Sequence, residues 1–282
     1  MESGLESKAI IVETSDRDKF TVKTLSVKAP GAGQVRVQMK YATFSVHDSL
    51  QHAYSSHAEY PYLAGYDGVG TVEEVGEEVE ELEKGDHVAI FSVPGNCTLS
   101  GKTNVCDEHA KIISKGKLWS ISPHLNAYSD DKSISGFRGL GTWSQYAVFP
   151  VSNLIKLDHE PTVADSGLGS VLSTGLLGPS KIVNVEEGDN VVVFGSNSLG
   201  LTLLTSLKAK TSGTIVVVGA QEDKELFEGL GATFVVDEGA PTDVQAKLMT
   251  IIPDGYDYTF EASSFSRFGT VALEICHKGW GK

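Results

Sequence analysis

The sequence predicts an α/β protein built of two parts, a mostly antiparallel, barrel-like β domain followed by a doubly wound parallel sheet. Short β-branched segments separated by glycine fill the first half of the chain, which is typical of an antiparallel barrel. Unbroken apolar segments alternate with helical patterns in the second half, which is typical of β-α units. With 282 residues the chain is long enough for two domains, which we place at 1–165 and 166–282.

The first domain is predicted from six strand-like segments. They are rich in β-branched residues and are bounded by turn residues: 9–12, 20–27, 34–44, 70–75, 87–93 and 143–149. The acidic run at 73–83 is interpreted as a solvated turn rather than a cation site. Residues 100–135 lose this pattern, and a loop of that length within a compact domain indicates either a function or disorder.

The second domain is predicted from strands that lack polar alternation. A helical segment at 161–181 precedes them, and the strands then alternate with helices in the order 190–194, 199–208, 214–218, 224–230, 233–236, 244–251, 256–260 and 268–277. Strands that are apolar on both faces need helices on both sides of the sheet, and therefore parallel crossovers. Four such units in a row predict a doubly wound sheet.

Charge and cysteine content limit the partners and the compartment. The 37 acidic and 23 basic residues give a net charge of −14, which repels phosphate backbones and anionic lipid. No apolar run approaches the roughly 18 residues that span a bilayer, and no signal-peptide pattern begins the chain. Three cysteines are too few for a disulfide framework. We expect a cytoplasmic protein that acts on a small-molecule substrate, without nucleic acid or membrane partners.

A glycine turn follows the first buried strand of the second domain. The stretch G-S-N-S-L-G at 195–200 opens a helix, where free backbone amides attract anions. In the usual G-x-G-x-x-G pattern the middle glycine lets the backbone approach a pyrophosphate, and here that residue is Asn197. We assign Gly195, Asn197, Leu199 and Gly200 to a dinucleotide site; a merely structural turn is the alternative.

The end of the second strand indicates the form of the dinucleotide. An NAD site has an acid there that accepts hydrogen bonds from the ribose hydroxyls, and this chain has Gly219. Loss of the acid also removes the charge that repels a 2′-phosphate, so NADP is favoured over NAD. Lys224 is a candidate partner for that phosphate, with a solvated lysine on a first helical turn as the alternative.

Five stretches of the chain resemble one family. They occur in a consistent order: A-G-Y-D-G-V-G at 64–70, K-G-D-H-V at 84–88, L-S-G-K-T-N-V-C at 99–106, L-S-T-G at 172–175 and A-L-E-I-C-H-K-G-W-G at 272–281. Together they resemble the medium-chain, zinc-type alcohol dehydrogenases, and most of all the class III branch. The resemblance implies a GroES-like catalytic domain followed by a Rossmann domain, with substrate in the cleft between them.

The resemblance also implies where the family's catalytic zinc would bind. Its ligands are a cysteine in V-C-H-T-D, a histidine in G-H-E and a cysteine in L-G-C-G-V-S-T-G, positions held here by Ser45, Tyr66 and Ser170. Hydroxyls and a phenol are poor replacements for thiolate and imidazole, so we expect no catalytic zinc and no other metal. The structural zinc loop likewise retains at most two sulfurs, Cys97 and Cys106.

Without zinc, the family's chemistry needs another group to act on the substrate oxygen. The resemblance assigns His47 to the position of the family's proton-passing serine or threonine, with Asp48 and Tyr66 as further candidate catalytic residues. A packed or surface imidazole is the alternative for His47. Val46 replaces the basic residue that meets the pyrophosphate, whereas Thr174 is retained at a position that packs near the nicotinamide.

The family continues beyond the G-W-G at 279–281, so the resemblance implies a Rossmann domain that is incomplete at its C-terminal end. We then expect the sheet to stop at its fourth strand and the family's dimer surface to be largely missing. Two functional hypotheses remain. The first is an alcohol dehydrogenase-like oxidoreductase, zinc-independent, that moves a hydride between NADP(H) and a small carbonyl, alcohol or activated alkene. The second is an inactive paralogue that binds a ligand or partner.

Overall fold

A computed structural model of the chain describes residues 4–14, 20–44, 60–91, 127–129, 132–263, 267–279 and 281. The fold divides into two compact units, Met1–Ser170 and Val171–Lys282, whereas the sequence placed the division between residues 165 and 166. The first unit contains mostly antiparallel sheets and the second a parallel sheet, so the predicted α/β fold class is confirmed.

Eleven strands of the first unit lie among the described residues. They are β1 Leu5–Val12, β2 Phe20–Val27, β3 Gln34–Tyr41, β4 Tyr62–Leu63, β5 Gly68–Val75, β6 His87–Ile90, β7 Ala127–Ser129, β8 Lys132–Ser133, β9 Ser135–Gly136, β10 Tyr146–Pro150 and β11 Leu154–Leu157. One sheet has the order β8-β7-β2-β1-β4-β9 and the other β10-β3-β5-β6-β11. Neighbouring strands pair antiparallel except β4 with β9.

Three predicted strands of this unit differ in extent from the prediction. The segment predicted at 34–44 is a strand over Gln34–Tyr41. Of the segment predicted at 87–93, His87–Ile90 form a strand, and residues 92 and 93 lie outside the described ranges. The strand predicted from residue 143 begins at Tyr146. Trp143 lies in the preceding turn and donates from its indole Nε1 to the carbonyl of Thr43 at 2.8 Å.

The second unit is a four-stranded parallel sheet covered by helices on both faces. Its strands are β12 Val191–Phe194, β13 Ile215–Gly219, β14 Phe234–Asp237 and β15 Tyr258–Glu261, and its helices are α1 Ser173–Leu177, α2 Ser198–Lys208, α3 Lys224–Leu230, α4 Pro241–Ile251 and α5 Gly269–Glu274. The strand order is β14-β13-β12-β15, so the connections diverge between β12 and β15. A separate apolar cluster fills each face of the sheet, as the unbroken apolar strands predict.

The segment predicted as a helix at 161–181 is helical from residue 164 to residue 182, with a hydrogen-bond pattern that changes along its length. It runs through a 3₁₀ turn at Ala164–Gly167, a π turn at Leu168–Leu172, the single α-helical stretch α1, and a second π turn at Gly178–Ile182. Close packing favours glycine at two positions of this segment: a Cβ on Gly169 would lie 2.2 Å from the carbonyl oxygen of Ile90, and one on Gly175 would lie 2.6 Å from Cβ of Thr202.

The far edge of the parallel sheet lies at β15, the fourth strand. Beyond it, the described residues form one isolated parallel bridge, between Tyr256 and Cys276. Tyr256 is fully buried, and its phenol donates to the carbonyl of Leu248 at 2.9 Å. None of the helices in the described ranges is both long and apolar enough to cross a membrane.

Candidate functional site

The turn between β12 and α2 has the backbone geometry of a phosphate-binding turn. Gly195 has φ of +109°, and a Cβ there would lie 2.9 Å from the backbone of Ala262 and Ser263. A Cβ on Gly200 would lie 2.1 Å from the carbonyl oxygen of Gly195. Close backbone approach therefore requires glycine at both positions. The turn also lies where the strand connections diverge, and doubly wound sheets bind ligands at that point.

Asn197 is the N-cap of α2. Its Oδ1 accepts hydrogen bonds from the backbone amides of Leu199 at 3.0 Å and Gly200 at 3.1 Å. Its Nδ2 donates to the carbonyl of Ala262, the residue after β15, at 2.6 Å. The structure therefore brings together the residues assigned to the turn, but two amides predicted to face an anion are bonded to the protein's own side chain.

Gly219 is the last residue of β13, where it lies next to α3 and is paired with an acidic residue of β14. A Cβ on this glycine would lie 3.0 Å from the ring of Phe227 and 3.3 Å from Cβ of Ser196, so packing favours a small residue here. The register of the sheet pairs Gly219 with Asp237, which is exposed at the end of β14. An acid missing from β13 is therefore present on the neighbouring strand.

Lys224 and Thr174 are both exposed in the second unit. The Nζ of Lys224 lies 3.6 Å from Oε1 of Glu228, one turn further along α3. Surface pairs of this kind contribute little, so the lysine can exchange that partner for another anion. Thr174 lies in α1, and its carbonyl accepts the N–H of Gly178. The geometry of these two residues is compatible with the assigned roles and also with ordinary helix surface.

Two of the three residues at the family's catalytic zinc positions lie in the described ranges. Tyr66 is 3% exposed, and its ring meets the ring of Phe137 edge-on, with centroids 5.7 Å apart. Ser170 donates from Oγ to Oδ2 of Asp67. Ser45 falls outside the described residues, as do His47 and Asp48, the other two residues assigned to catalysis.

Asp67 is a fully buried carboxylate with a hydroxyl on each oxygen. Thr43 donates from Oγ1 to Oδ1, and Ser170 donates to Oδ2. Burial of a charged carboxylate is costly unless hydrogen bonds compensate it, and hydroxyl donors supply that compensation here. We call Thr43, Asp67 and Ser170 the hydroxyl–carboxylate cluster.

The donors at this position do not fit a zinc ion. Zinc sites in proteins are built from thiolate, imidazole and carboxylate ligands, usually three or four together. Tyr66 offers a phenol packed in an aromatic pair, and Asp67 is bonded to two hydroxyls. Across the part of the chain that the structure describes, no three His, Cys, Asp or Glu side chains are grouped so that they could hold a metal ion. The cysteines predicted to remain in the structural zinc loop, Cys97 and Cys106, lie outside that part.

A groove of about 430 Å³ lies beside the cluster in the first unit. Thr43, which bonds to Asp67, is one of its lining residues, together with Phe44, Thr142 and Trp143. Thr142 is 1% exposed, and its Oγ1 has no hydrogen-bond partner among the described residues. This groove thus shares Thr43 with the hydroxyl–carboxylate cluster.

The cluster is the part of the site that sequence reasoning missed. Ser170 was recognised only as a lost zinc ligand, and Asp67 only as one letter of a matching stretch. The available signal was an aspartate within the small and apolar run A-G-Y-D-G-V-G at 64–70, because a carboxylate buried in such a run needs dedicated donors. Its donors come from residues 24 positions earlier and 103 later, which no local pattern reveals.

Comparison with known proteins gives consistent relatives. Residues 31–159 match the alcohol dehydrogenase GroES-like domain family. The S-(hydroxymethyl)glutathione dehydrogenase of Saccharomyces cerevisiae is 31% identical over 99% of this chain and 75% of its own length. The class-3 alcohol dehydrogenase of Caenorhabditis elegans is 32% identical over 96% of this chain and 73% of its own length. The chain thus spans about three quarters of the length of these relatives.

Solved structures agree on the fold. Benzyl alcohol dehydrogenase from Acinetobacter calcoaceticus matches with a TM-score of 0.81 and 21% identity, covering 96% of this chain and 74% of that one. An alcohol dehydrogenase zinc-binding domain protein from Burkholderia ambifaria matches with a TM-score of 0.84 and 20% identity, at the same coverage. Together with the sequence relatives, which match along nearly all of the chain, these likenesses assign the protein: it belongs to the medium-chain, zinc-type alcohol dehydrogenase family.

Proposed function

We propose that this chain is an oxidoreductase that uses a nicotinamide dinucleotide and works without a catalytic zinc. The observation that carries the proposal is the turn from Gly195 to Gly200, whose two glycines are required by backbone approach and which lies where the sheet connections diverge. The substrate class that we propose is a small carbonyl, alcohol or activated alkene. Two relatives of this chain are named S-(hydroxymethyl)glutathione dehydrogenase and class-3 alcohol dehydrogenase, which supports the reaction type.

Zinc independence is supported by the chemistry of the donors. Hydroxyl and phenol oxygens at Ser170 and Tyr66 lack the thiolate and imidazole lone pairs that zinc binds most strongly. Asp67, the carboxylate nearest to them in the chain, is bonded to Thr43 and Ser170. A zinc ion bound at this carboxylate would have to break these hydrogen bonds and, among the described residues, would gain only one carboxylate ligand in return.

Reduction of a carbonyl requires a proton on oxygen when a hydride reaches carbon. In the absence of a Lewis acid, a side chain or a relayed water has to donate that proton. His47, Asp48 and Tyr66 are the candidates on this chain, and His47 has the ordinary pKa best suited to donate near neutral pH. Tyr66 is buried against Phe137, which suits an orienting role more than direct contact with substrate.

The proposed form of the cofactor is NADP(H), with NAD(H) as the weaker ligand. Gly219 presents no acid at the end of β13, so the local charge that rejects a 2′-phosphate is absent from that strand. Lys224, the first residue of α3, is an exposed cation that follows Gly219 closely in the chain. Asp237, paired in register with Gly219, acts in the opposite sense and limits the preference.

A second candidate function is a catalytically inactive paralogue that binds a ligand or partner. The observation that favours it is the bonding of Asn197 to the amides of Leu199 and Gly200, since an unliganded turn completed by its own side chain needs no cofactor. For either function we propose a cytoplasmic location and a small-molecule ligand, on the basis of the net charge of −14 and the three cysteines.

Fluorescence titration separates the two functions. Purified protein is titrated with NADPH and, in parallel, with NADH, and the change in nicotinamide fluorescence is followed. The oxidoreductase proposal predicts saturable binding of at least one of them, and turnover when small aldehydes, ketones and enones are supplied. Absence of a saturable signal with both dinucleotides would reject the oxidoreductase proposal in favour of the paralogue.

A further inference from the structure

The side chain of Asn197 crosses the crevice between the ends of two adjacent strands. β12 and β15 run parallel, with Phe194 paired in register with Glu261. Asn197 follows β12, and its Nδ2 donates at 2.6 Å to the carbonyl of Ala262, which follows β15. The amide of this side chain therefore ties the two strand ends together at the carboxyl edge of the sheet.

The same side chain also occupies backbone donors at the start of α2. Its Oδ1 accepts from the amides of Leu199 at 3.0 Å and Gly200 at 3.1 Å. Amides in the first turn of a helix of this length, eleven residues, are the groups that commonly bind a phosphate oxygen. An incoming phosphate has to displace an acceptor that is itself anchored at its other end by Ala262.

The backbone of the turn does not oppose a phosphate. Gly195 and Gly200 lack a Cβ, and their backbones approach other backbone atoms as closely as the turn requires. The obstruction comes from one side chain, at the position where the G-x-G-x-x-G pattern has its middle glycine. Removal of that side chain would leave the amides of Leu199 and Gly200 without their present acceptor.

A carboxylate near the same strand end adds to the obstruction. Glu261 is the last residue of β15, and its Oε1 accepts from both the amide and the hydroxyl of Ser263. These bonds hold the carboxylate beside the backbone amide of Ser263, just beyond the end of β15. A negative charge held there raises the electrostatic cost of binding a pyrophosphate nearby.

We propose that Asn197 is an internal substitute for the pyrophosphate of the cofactor, an autoinhibitory contact that weakens dinucleotide binding by this chain. The inference rests on the proposed function, since it concerns the same turn. It implies that dinucleotide affinity is limited by Asn197 rather than by the fold of the turn. Asn197→Gly is therefore expected to tighten binding at least about tenfold, the equivalent of one or two hydrogen bonds that no longer have to be displaced.

Three variants and three ligands test this inference. Asn197→Gly removes the side chain, and glycine is accepted at an N-cap. Asn197→Asp is the matched control, because it has nearly the same size and retains the cap but places a negative charge in the crevice. Asn197→Ser retains a capping oxygen and is too short to reach Ala262, so it serves as a second test if the glycine variant is unstable. NADH and NADPH are titrated by fluorescence and ADP by calorimetry, with thermal unfolding as the check on folding.

The order of affinities decides the outcome. The inference expects Asn197→Gly to bind most tightly, Asn197→Ser next, then the unaltered protein, and Asn197→Asp most weakly, for ADP as well as for the nicotinamide dinucleotides. Equal affinities in all four proteins would overturn the inference and leave the proposed function standing. Tighter ADP binding by Asn197→Gly without any binding of NADH or NADPH would support the inference and reject the proposed function. Failure of every protein to bind any of the three ligands would overturn both.

Discussion

Ser170 donates a hydrogen bond from Oγ to Oδ2 of Asp67, at a position where the family resemblance implies a zinc-binding cysteine. The serine is therefore a donor to a buried carboxylate and not merely a lost ligand. Thr43 completes the arrangement from the opposite oxygen. The hydroxyl of Ser170 thus donates to a negative charge, whereas a thiolate at this position would offer a lone pair to a cation.

The first prediction concerns the stability that this hydrogen bond contributes. Ser170→Ala leaves the carboxylate of Asp67 buried with one of its two hydroxyl donors removed. We expect the free energy of unfolding to fall by about 1.5–3 kcal/mol, the range for hydrogen bonds to charged groups. Denaturant unfolding measures the change. Ser180→Ala is the matched control, since the Ser180 hydroxyl makes only an exposed bond of 3.3 Å to Leu177; an equal loss in both variants would contradict the account.

The second prediction concerns pH and the His159 cluster. Hydrogen bonds first to Asp158 and then to Asp165 raise the pKa of His159 above its ordinary value of 6.5. The bond to His159 lowers the pKa of Asp158, and bonds from Thr162 chiefly lower that of Asp165. The histidine thus stabilises the fold fully below pH 6.5 and loses this effect as pH rises through the raised value, while the carboxylates lose theirs as pH falls through their lowered values.

These directions of the pKa shifts determine how the stability of His159→Gln differs from that of the unaltered protein at each pH. The variant should be less stable at about pH 5, where both the imidazolium and the carboxylates are charged, and the difference should shrink above about pH 8. Melting temperatures across this range provide the measurement. A difference that is constant with pH would show that His159 acts through packing alone.

The third prediction concerns His47, which the resemblance assigns to the position of the family's proton-passing serine or threonine. A packed or surface imidazole is the alternative. If His47 donates the proton, His47→Gln should lower kcat by about 10²–10⁴ while dinucleotide affinity stays unchanged.

The pH profile of kcat distinguishes proton donation from the alternative. Loss of the proton donor should remove its ionisation from that profile. His57→Gln is a suitable comparison, because it removes a histidine outside the matched stretches. An unchanged kcat in His47→Gln would leave a packed or surface imidazole and contradict the assignment.

The fourth prediction concerns the choice between NADP(H) and NAD(H). Asp237 of β14 is the register partner of Gly219, the last residue of β13, so it places an acidic side chain at this edge of the sheet. Asp237→Asn removes one negative charge and should improve NADPH binding more than NADH binding, by several-fold at low ionic strength. Lys224→Gln should act in the opposite direction. Identical ratios of NADPH to NADH affinity in all three proteins would exclude a 2′-phosphate site at this edge.

The parallel sheet could be predicted from the sequence because its signal is local and redundant. Val191 to Phe194 and Ile215 to Val218 are apolar without interruption, and each is followed by a helix with a recognisable beginning. The helical conformation of residues 164–182 was also predictable, from composition. The change of hydrogen-bond pattern along that segment, from 3₁₀ to π to α and to π again, has no local signature in the sequence.

The candidate site was predictable in position but not in bonding. The glycine turn follows a buried strand, which is a local pattern, so Gly195 and Gly200 were recognised. That Asn197 bonds across the crevice to Ala262, 65 residues later, depends on tertiary contact and has no local signature. The same is true of Asp67, whose two donors are brought together only by the fold.

Zinc analysis tests the central claim, the proposed absence of a catalytic zinc, most directly, because Ser170 donates to Asp67 where the resemblance implies a zinc-binding cysteine. The full chain is expressed with zinc supplied, purified without chelators and analysed by mass spectrometry of the metal, alongside a zinc-containing member of the family. The account predicts substoichiometric zinc and a melting temperature that chelation does not change. Close to one zinc per chain, with anomalous scattering at the zinc edge among Ser45, Tyr66 and Ser170, would contradict it.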